Sequence, residues 1–241
     1  MIVGFAAQMI DGSLGMGYGV ISNSFLLMLG IPPALTSSSV HLSKMFTNGA
    51  AGLSHIRFGN VDKRLLIRLI PTGVLGGIIG ALVLSALPHG VARPFVAVYL
   101  FIAGLLIIRK AIRRRQAVEL ADATINTEKK LFPLGALGGF LDAIGGGGWG
   151  PVVTSTLIIR GNNPRLSIGS GSVAEFFVSV AIFATFSSRF SLAEQGTVIL
   201  GLIIGGVLAA PLSAYLCGRL PVRPSLVAVG LLIMGVSIGM L

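Results

Sequence analysis

The chain has 241 residues, of which 54% are hydrophobic and only 11% charged, with a mean hydropathy of +0.91. Soluble domains carry about 25% charged residues, so a soluble fold is excluded, and the high hydrophobicity excludes disorder. At about 20 residues per crossing, the length fits seven or eight apolar segments of an all-α integral membrane protein, with no separate soluble domain.

The apolar segments of the first half fall at about 1–29, 34–54, 65–87 and 91–109. Those of the second half fall at about 131–159, 165–186, 196–217 and 222–241. Between them lies a polar linker, 111–130, with Arg113, Arg114, Arg115, Lys129 and Lys130. The formal charge of +10 would suggest nucleic acid on a soluble chain. Here the basic residues sit between apolar runs and read as topology determinants, so no nucleic acid partner is expected. The single cysteine, Cys217, lies in an apolar run, so neither a disulfide nor a metal cluster is expected, and no cofactor. Met1 leads into apolar sequence without a basic stretch, so no cleavable signal is expected.

The two halves resemble each other. A slide of 131 positions aligns Gly4–Phe46 with Gly135–Phe177 without gaps, and 12 of the 43 positions are identical. Chance in so Gly- and Leu-rich a chain gives roughly three or four, so the duplication is read as a true repeat, 1–110 and 131–241. Equivalent positions include Asp11/Asp142, Gly15/Gly146, Gly17/Gly148, Gly19/Gly150 and Pro33/Pro164.

The first segment of each repeat is split by glycines, at Asp11–Gly19 and Asp142–Gly150. Glycine at this density does not propagate a helix. Each split segment is either a kinked span or a re-entrant hairpin of two half-helices. Cytoplasmic loops collect Lys and Arg, and this separates the two. With hairpins, fifteen of the eighteen basic residues fall on one side and two, Arg93 and Arg189, on the other. With kinked spans the division is twelve to five. The expected fold is therefore two inverted repeats, each a Gly-rich re-entrant hairpin plus three transmembrane helices, with the 111–130 linker cytoplasmic. Inverted repeats with broken helices are the recurrent plan of secondary transporters.

Gly-rich tips leave backbone amides free, and a half-helix begins after each tip, near Tyr18 and Trp149. Helix N-termini attract anions. This makes Gly15, Gly17, Tyr18, Gly19, Gly146, Gly148, Trp149 and Gly150 candidate substrate-binding positions, against a plain reading of tight helix packing. The next segment carries a polar stripe at helical spacing, Ser37, His41, Lys44 and Asn48, answered in the second repeat by Ser172, Glu175 and Ser179. Ser170 stands beside that second stripe and is also a candidate. Such a face is costly against lipid and is expected to wall a cavity.

Lys44 and Glu175 are equivalent positions with opposite charges. They form either a buried pair that opens and closes with state, an anion-binding Lys beside a proton-carrying Glu, or a permanent salt bridge. Asp11 and Asp142 precede the tips. Each either holds its glycine loop by accepting amides or serves as a protonatable carboxyl or cation ligand. Asp11, Lys44, Asp142 and Glu175 are thus the coupling or gating candidates, and His41 a candidate titrating group.

The duplicated Asp-x-x-x-Gly-x-Gly-(Tyr/Trp)-Gly element, followed in each repeat by Pro33 or Pro164 and a Ser-rich stripe, resembles the TauE/SafE family, also called the toluenesulfonate uptake permeases. The resemblance covers essentially the whole chain. It implies a bacterial inner-membrane transporter of sulfite, organosulfonates or a related sulfur anion such as thiosulfate, most readily an exporter. The duplicated motif transfers onto Asp11, Gly15, Gly17, Gly19, Asp142, Gly146, Gly148 and Gly150. Alternating access, with or without proton coupling, is the expected mechanism, and a passive anion channel of the same architecture is the alternative. No HExxH element is present, and an enzyme is not expected. The expected partners are the anion and the lipid bilayer, and a homo-oligomer is compatible with the sequence.

Overall fold

A computed structural model describes residues 1–117, 131–189, 195–217 and 222–240. Among these there is no strand. The first half is α1 (Ile2–Leu14), α2 (Tyr18–Met28), α3 (Pro33–Arg57), α4 (Lys63–Ala86) and α5 (His89–Ala117). In the second half, α6 (Leu131–Gly145) is followed by one π-helical turn, Gly150–Thr154, that leads into α7 (Ser155–Ile159). Then come α8 (Pro164–Ser187), α9 (Gly196–Tyr215) and α10 (Val222–Met240). Helix α5 runs seven residues into the stretch read as linker, and 118–130 lie outside the described residues.

Local sequence explains the helix starts. Pro33 and Pro164 open α3 and α8 in the first turn, where no amide donor is needed. Asp62 caps α4 by accepting the Arg64 amide at 2.8 Å, and Asn163 caps α8 through the Arg165 amide at 3.0 Å. Gly15 (φ 75°) and Gly146 (φ 67°) stand in the left-handed region just past α1 and α6. A side chain there would be strained, so glycine ends both half-helices at the equivalent residue.

Close glycine contacts fix the direction of each neighbour. Gly4 lies on Leu202 and Gly12 on Ser213, so α1 and α9 run parallel. Gly135 lies on Thr72, and Gly80 on Phe140 and Ala143, so α6 and α4 run parallel. Gly73 meets Val178 and Gly77 meets Ile182, which makes α4 parallel to α8. Gly49 meets Phe176 and Gly52 meets Val173, which makes α3 antiparallel to α8.

Since α6 and α8 both follow α4, the chain between them must reverse. It does so at the glycine break: Gly148 packs on Leu141 and Asp142, and Val153 returns to Gly138. The first half behaves alike. The Tyr18 amide comes back to Asp11, and its hydroxyl reaches the Leu202 carbonyl, beside Gly4 near the start of α1. Both breaks therefore turn the chain back on itself, rather than kinking a continuous helix.

Among the described residues, four helices are long and apolar enough to cross a membrane: Lys63–Ala86, Gly90–Arg109, Pro164–Ser187 and Gly196–Tyr215. Leu75 and Ile79 of α4 and Leu200 and Leu208 of α9 face outward. The polar groups face inward, with Thr36, Ser37, His41, Lys44, Thr47 and Asn48 of α3 all buried. Helix α3 is 25 residues long but too rich in Ser, Thr, His, Lys and Asn to belong to that apolar set, and this polar face is turned to the protein interior. The molecule is an integral membrane protein with a polar centre, as lipid demands of such a sequence.

Candidate functional site

The two glycine breaks are built alike. Asp11 Oδ1 accepts the Tyr18 amide at 3.1 Å, and Asp142 Oδ1 accepts the Trp149 amide at 3.2 Å. Each carboxylate reaches seven residues on and ties the start of the returning segment to the end of the outgoing one. This supplies an acceptor to an amide that has no helical partner. The breaks also touch each other. Gly19 lies against the backbone of Gly146 and Gly147, and Gly150 against Gly15 and Met16. Asn23 covers Gly146, and its equivalent Thr154 covers Gly15.

Asp142 has further partners. Lys44 Nζ donates to both its oxygens, at 2.9 and 2.8 Å, and His41 Nε2 stands 3.2 Å from Oδ2. Lys44 also reaches Glu175 Oε1 at 2.5 Å. One ammonium is thus shared by a carboxylate of the second break and one of α8. Asp11 is close enough to Lys44 and Glu175 to interact electrostatically. It has no ion-pair partner among the described residues. Three carboxylates and one lysine therefore share the interior. Such a set is stable only when its charges are paired or hydrogen-bonded.

His41 is held between two acceptors. Its Nδ1 lies 2.8 Å from the Ser37 carbonyl oxygen, and its Nε2 faces Asp142. A neutral imidazole has one N–H and serves one of them; an imidazolium serves both. The proton count of the ring thus decides how firmly Asp142 is held. The Ser37 hydroxyl donates to the Ala143 carbonyl at 2.5 Å, which fastens α3 to the end of α6.

The remaining candidates divide. Trp149 is fully buried against Gly73 and Gly138, and its indole N–H has no protein acceptor among the described residues. The Tyr18 hydroxyl lies among Ser22, Ser43 and Thr47 and donates to the Leu202 carbonyl at 3.2 Å. Gly17, at φ 138°, packs on Ile10. Asn48 and Ser179 are fully buried with no side-chain partner among the described residues. Ser172 donates to the Ile168 carbonyl of its own helix at 3.1 Å. Ser170 is not drawn into the cluster: it accepts the Asp62 amide at 2.8 Å and pins the α3–α4 connection. No metal-holding group of His, Cys, Asp or Glu occurs among the described residues.

Sequence reasoning missed Asn23 and Thr154, which lock each break against the other, and Tyr99, whose ring lies on Gly145. Asn23 and Thr154 carried a usable signal. Each sits in a short polar run, Ser22–Ser24 and Thr154–Thr156, and the two residues coincide under the 131-residue slide. Tyr99 carried none.

A multi-pass membrane protein with two reversed helix breaks around buried charges belongs to the transporter class. A family model described as sulfite exporter TauE/SafE matches residues 1–240, and the chain belongs to that family. It is 42% identical over 217 residues to "Probable membrane transporter protein YtnM" of Bacillus subtilis (strain 168), covering 89% of this chain and 72% of the relative. It is 26% identical over 172 residues to "Probable membrane transporter protein YdhB" of the same organism, covering 70% of each. No solved structure matches. The relatives are named as transporters, not as enzymes.

Proposed function

We propose that the protein is a secondary transporter that exports small sulfur-containing anions, such as sulfite, organosulfonates or thiosulfate, across the bacterial inner membrane by alternating access coupled to a proton. The observation that carries this reading is the buried ion cluster, in which Lys44 is shared by Asp142 and Glu175 where the two glycine breaks meet. The substrate class rests on the family's description. The repeats are inverted in this reading, and the antiparallel course of the equivalent helices α3 and α8 supports it.

In this mechanism a proton on Glu175 removes one of the two carboxylates that hold Lys44. The ammonium then has a free valence for an oxyanion, which the glycine-break amides and nearby hydroxyls complete. Anion and proton load together and leave together, so the substrate crosses with one charge neutralised. Reconstitution into liposomes loaded with sulfite, thiosulfate or a sulfonate tests this directly. Saturable efflux accompanied by a pH change across the membrane is expected. Flux no faster than from empty liposomes for every such anion sinks the assignment, and unitary currents without proton movement make the protein a channel.

The orientation has its own test. Cysteine placed at Arg160 and at Arg189, with the native Cys217 replaced by serine, is expected to react with an impermeant thiol reagent from the cytoplasmic and the outer side respectively. Labelling of R160C from outside removes both the re-entrant reading and the inverted repeat.

A further inference from the structure

Asp11 and Asp142 are equivalent residues with the same backbone duty, yet only one of them is paired with a cation. Each Oδ1 accepts the amide seven residues ahead. Asp142 then takes Lys44 on both oxygens and stands next to His41, whereas Asp11 has no salt bridge among the described residues. Exposure follows the same division. Asp142 and His41 are 0% exposed and Lys44 1%, while Asp11 is 5% and Glu175 6% exposed. Both breaks are buried, and the small difference lies at the carboxylates themselves.

In the inverted-repeat reading above, the two halves trade conformations as the carrier alternates. Whatever one break does now, the other does after the exchange. Among the charged positions of the cluster, Asp11 and Asp142 answer each other, but Lys44 of the first half is answered by Glu175 in the second. There is therefore one ammonium for two equivalent carboxylates.

Resting on the alternating-access reading above, we propose that Lys44 is a moving counter-ion with two docking positions, Asp142 in the state seen here and Asp11 in the opposite-facing state. Glu175 lies on α8 and pairs with Lys44 of α3, and these are the two antiparallel equivalents. Protonation of Glu175, as in the mechanism above, loosens one of the two holds on Lys44 and lets the ammonium pass from one break to the other. Transfer between two carboxylates keeps the charge paired at each end of its path. This avoids the cost of a bare ammonium in a dry interior. It also gives a two-position element that both faces of the carrier bias, which is what coupling between them requires.

The test uses paired substitutions and paired probes in the full chain, in a Cys217→Ser background. Asp11→Asn and Asp142→Asn keep an oxygen for the Tyr18 or Trp149 amide and remove only the charge. Cysteine at Ile168, beside Gly15, and at the equivalent Ser37, bonded to Ala143, reports access to each break. Without further change I168C is expected to react with a small thiol reagent faster than S37C. Asp142→Asn sends Lys44 to Asp11, so S37C speeds up and I168C slows. Asp11→Asn leaves the labelling order as it is and stops turnover, reducing efflux at least tenfold.

Equal shifts from both substitutions, or none from either, overturn the proposal. Should Asp142→Asn fail to fold, Asp11→Asn decides alone. A purely structural Asp11 predicts wild-type efflux from that variant, because the amide bond survives. Wild-type efflux in Asp11→Asn defeats the moving counter-ion and leaves transport standing. Absence of efflux from the unsubstituted protein defeats the transport reading itself.

Discussion

Lys44→Met is expected to abolish transport and to lower stability more than any other single change in the polar centre. Lys44 is almost completely buried and joins two carboxylates, at 2.8 Å to Asp142 and 2.5 Å to Glu175. Removing it leaves two acids in a dry interior with no cation beside them. Breaking a buried pair from one side costs about 3–5 kcal/mol, chiefly because the surviving charge is uncompensated. Thermal unfolding in detergent should show this as a lowered midpoint. The measurement becomes decisive with the triple variant Lys44→Met, Asp142→Asn, Glu175→Gln. It removes all three charges at nearly constant volume and should recover most of the stability, since a buried ion pair adds little over a neutral isostere. Efflux should stay lost, because the ammonium that takes the anion and the carboxyl that takes the proton are both gone. A Lys44→Met protein that moves sulfur anions at the wild-type rate would show the cluster to be structural only.

The architecture was legible where the sequence repeats itself. The slide that pairs Asp11 with Asp142 and Gly15 with Gly146 anticipated two breaks of one design, and the structure ends α1 and α6 at those residues. The polar stripe Ser37, His41, Lys44 and Asn48 was legible because a helix with such a face has no stable place against lipid. The apolar stretch of α5 was read at about 91–109, close to the Gly90–Arg109 span, while the helix itself runs further. A run of arginines reads as linker by charge, but arginine is a good helix former and the helix continues to Ala117.

The partners of Lys44 were only half visible. Equivalence with Glu175 followed from the repeat, whereas the tie to Asp142 and His41 depends on how far α6 reaches across α3, a packing matter with no local signal. Ser170 was a candidate through its repeat equivalence with Ser39, and its hydroxyl bonds the α3–α4 connection in the structure. A serine hydroxyl serves either role, and only its neighbours decide.

Gly19→Ala is expected to damage transport more than any other added methyl group where the two breaks meet. A β-carbon there would fall on the Gly146 carbonyl and 2.6 Å from the Gly147 α-carbon, so backbone, not a flexible side chain, stands in its way. The two breaks must then separate, and everything hung on them moves too: the Tyr18 and Trp149 amide bonds, the cover of Asn23 over Gly146, and the grip of Asp142 on Lys44. Overpacking of this kind costs typically about 1–3 kcal/mol, and contact with backbone places it at the upper end. Efflux should fall roughly 10²-fold, the scale on which an ångström of misplacement acts in a preorganised site.

Gly150→Ala, the equivalent change, meets Gly15 and Met16 and should behave the same way. Gly196→Ala serves as the control, since nothing lies within 4 Å of its added carbon and it should change stability by no more than about 0.5 kcal/mol. The three variants separate crowding from glycine content as such. If Gly19→Ala transports as well as Gly196→Ala, direct contact between the two breaks is not what holds the ion cluster in place.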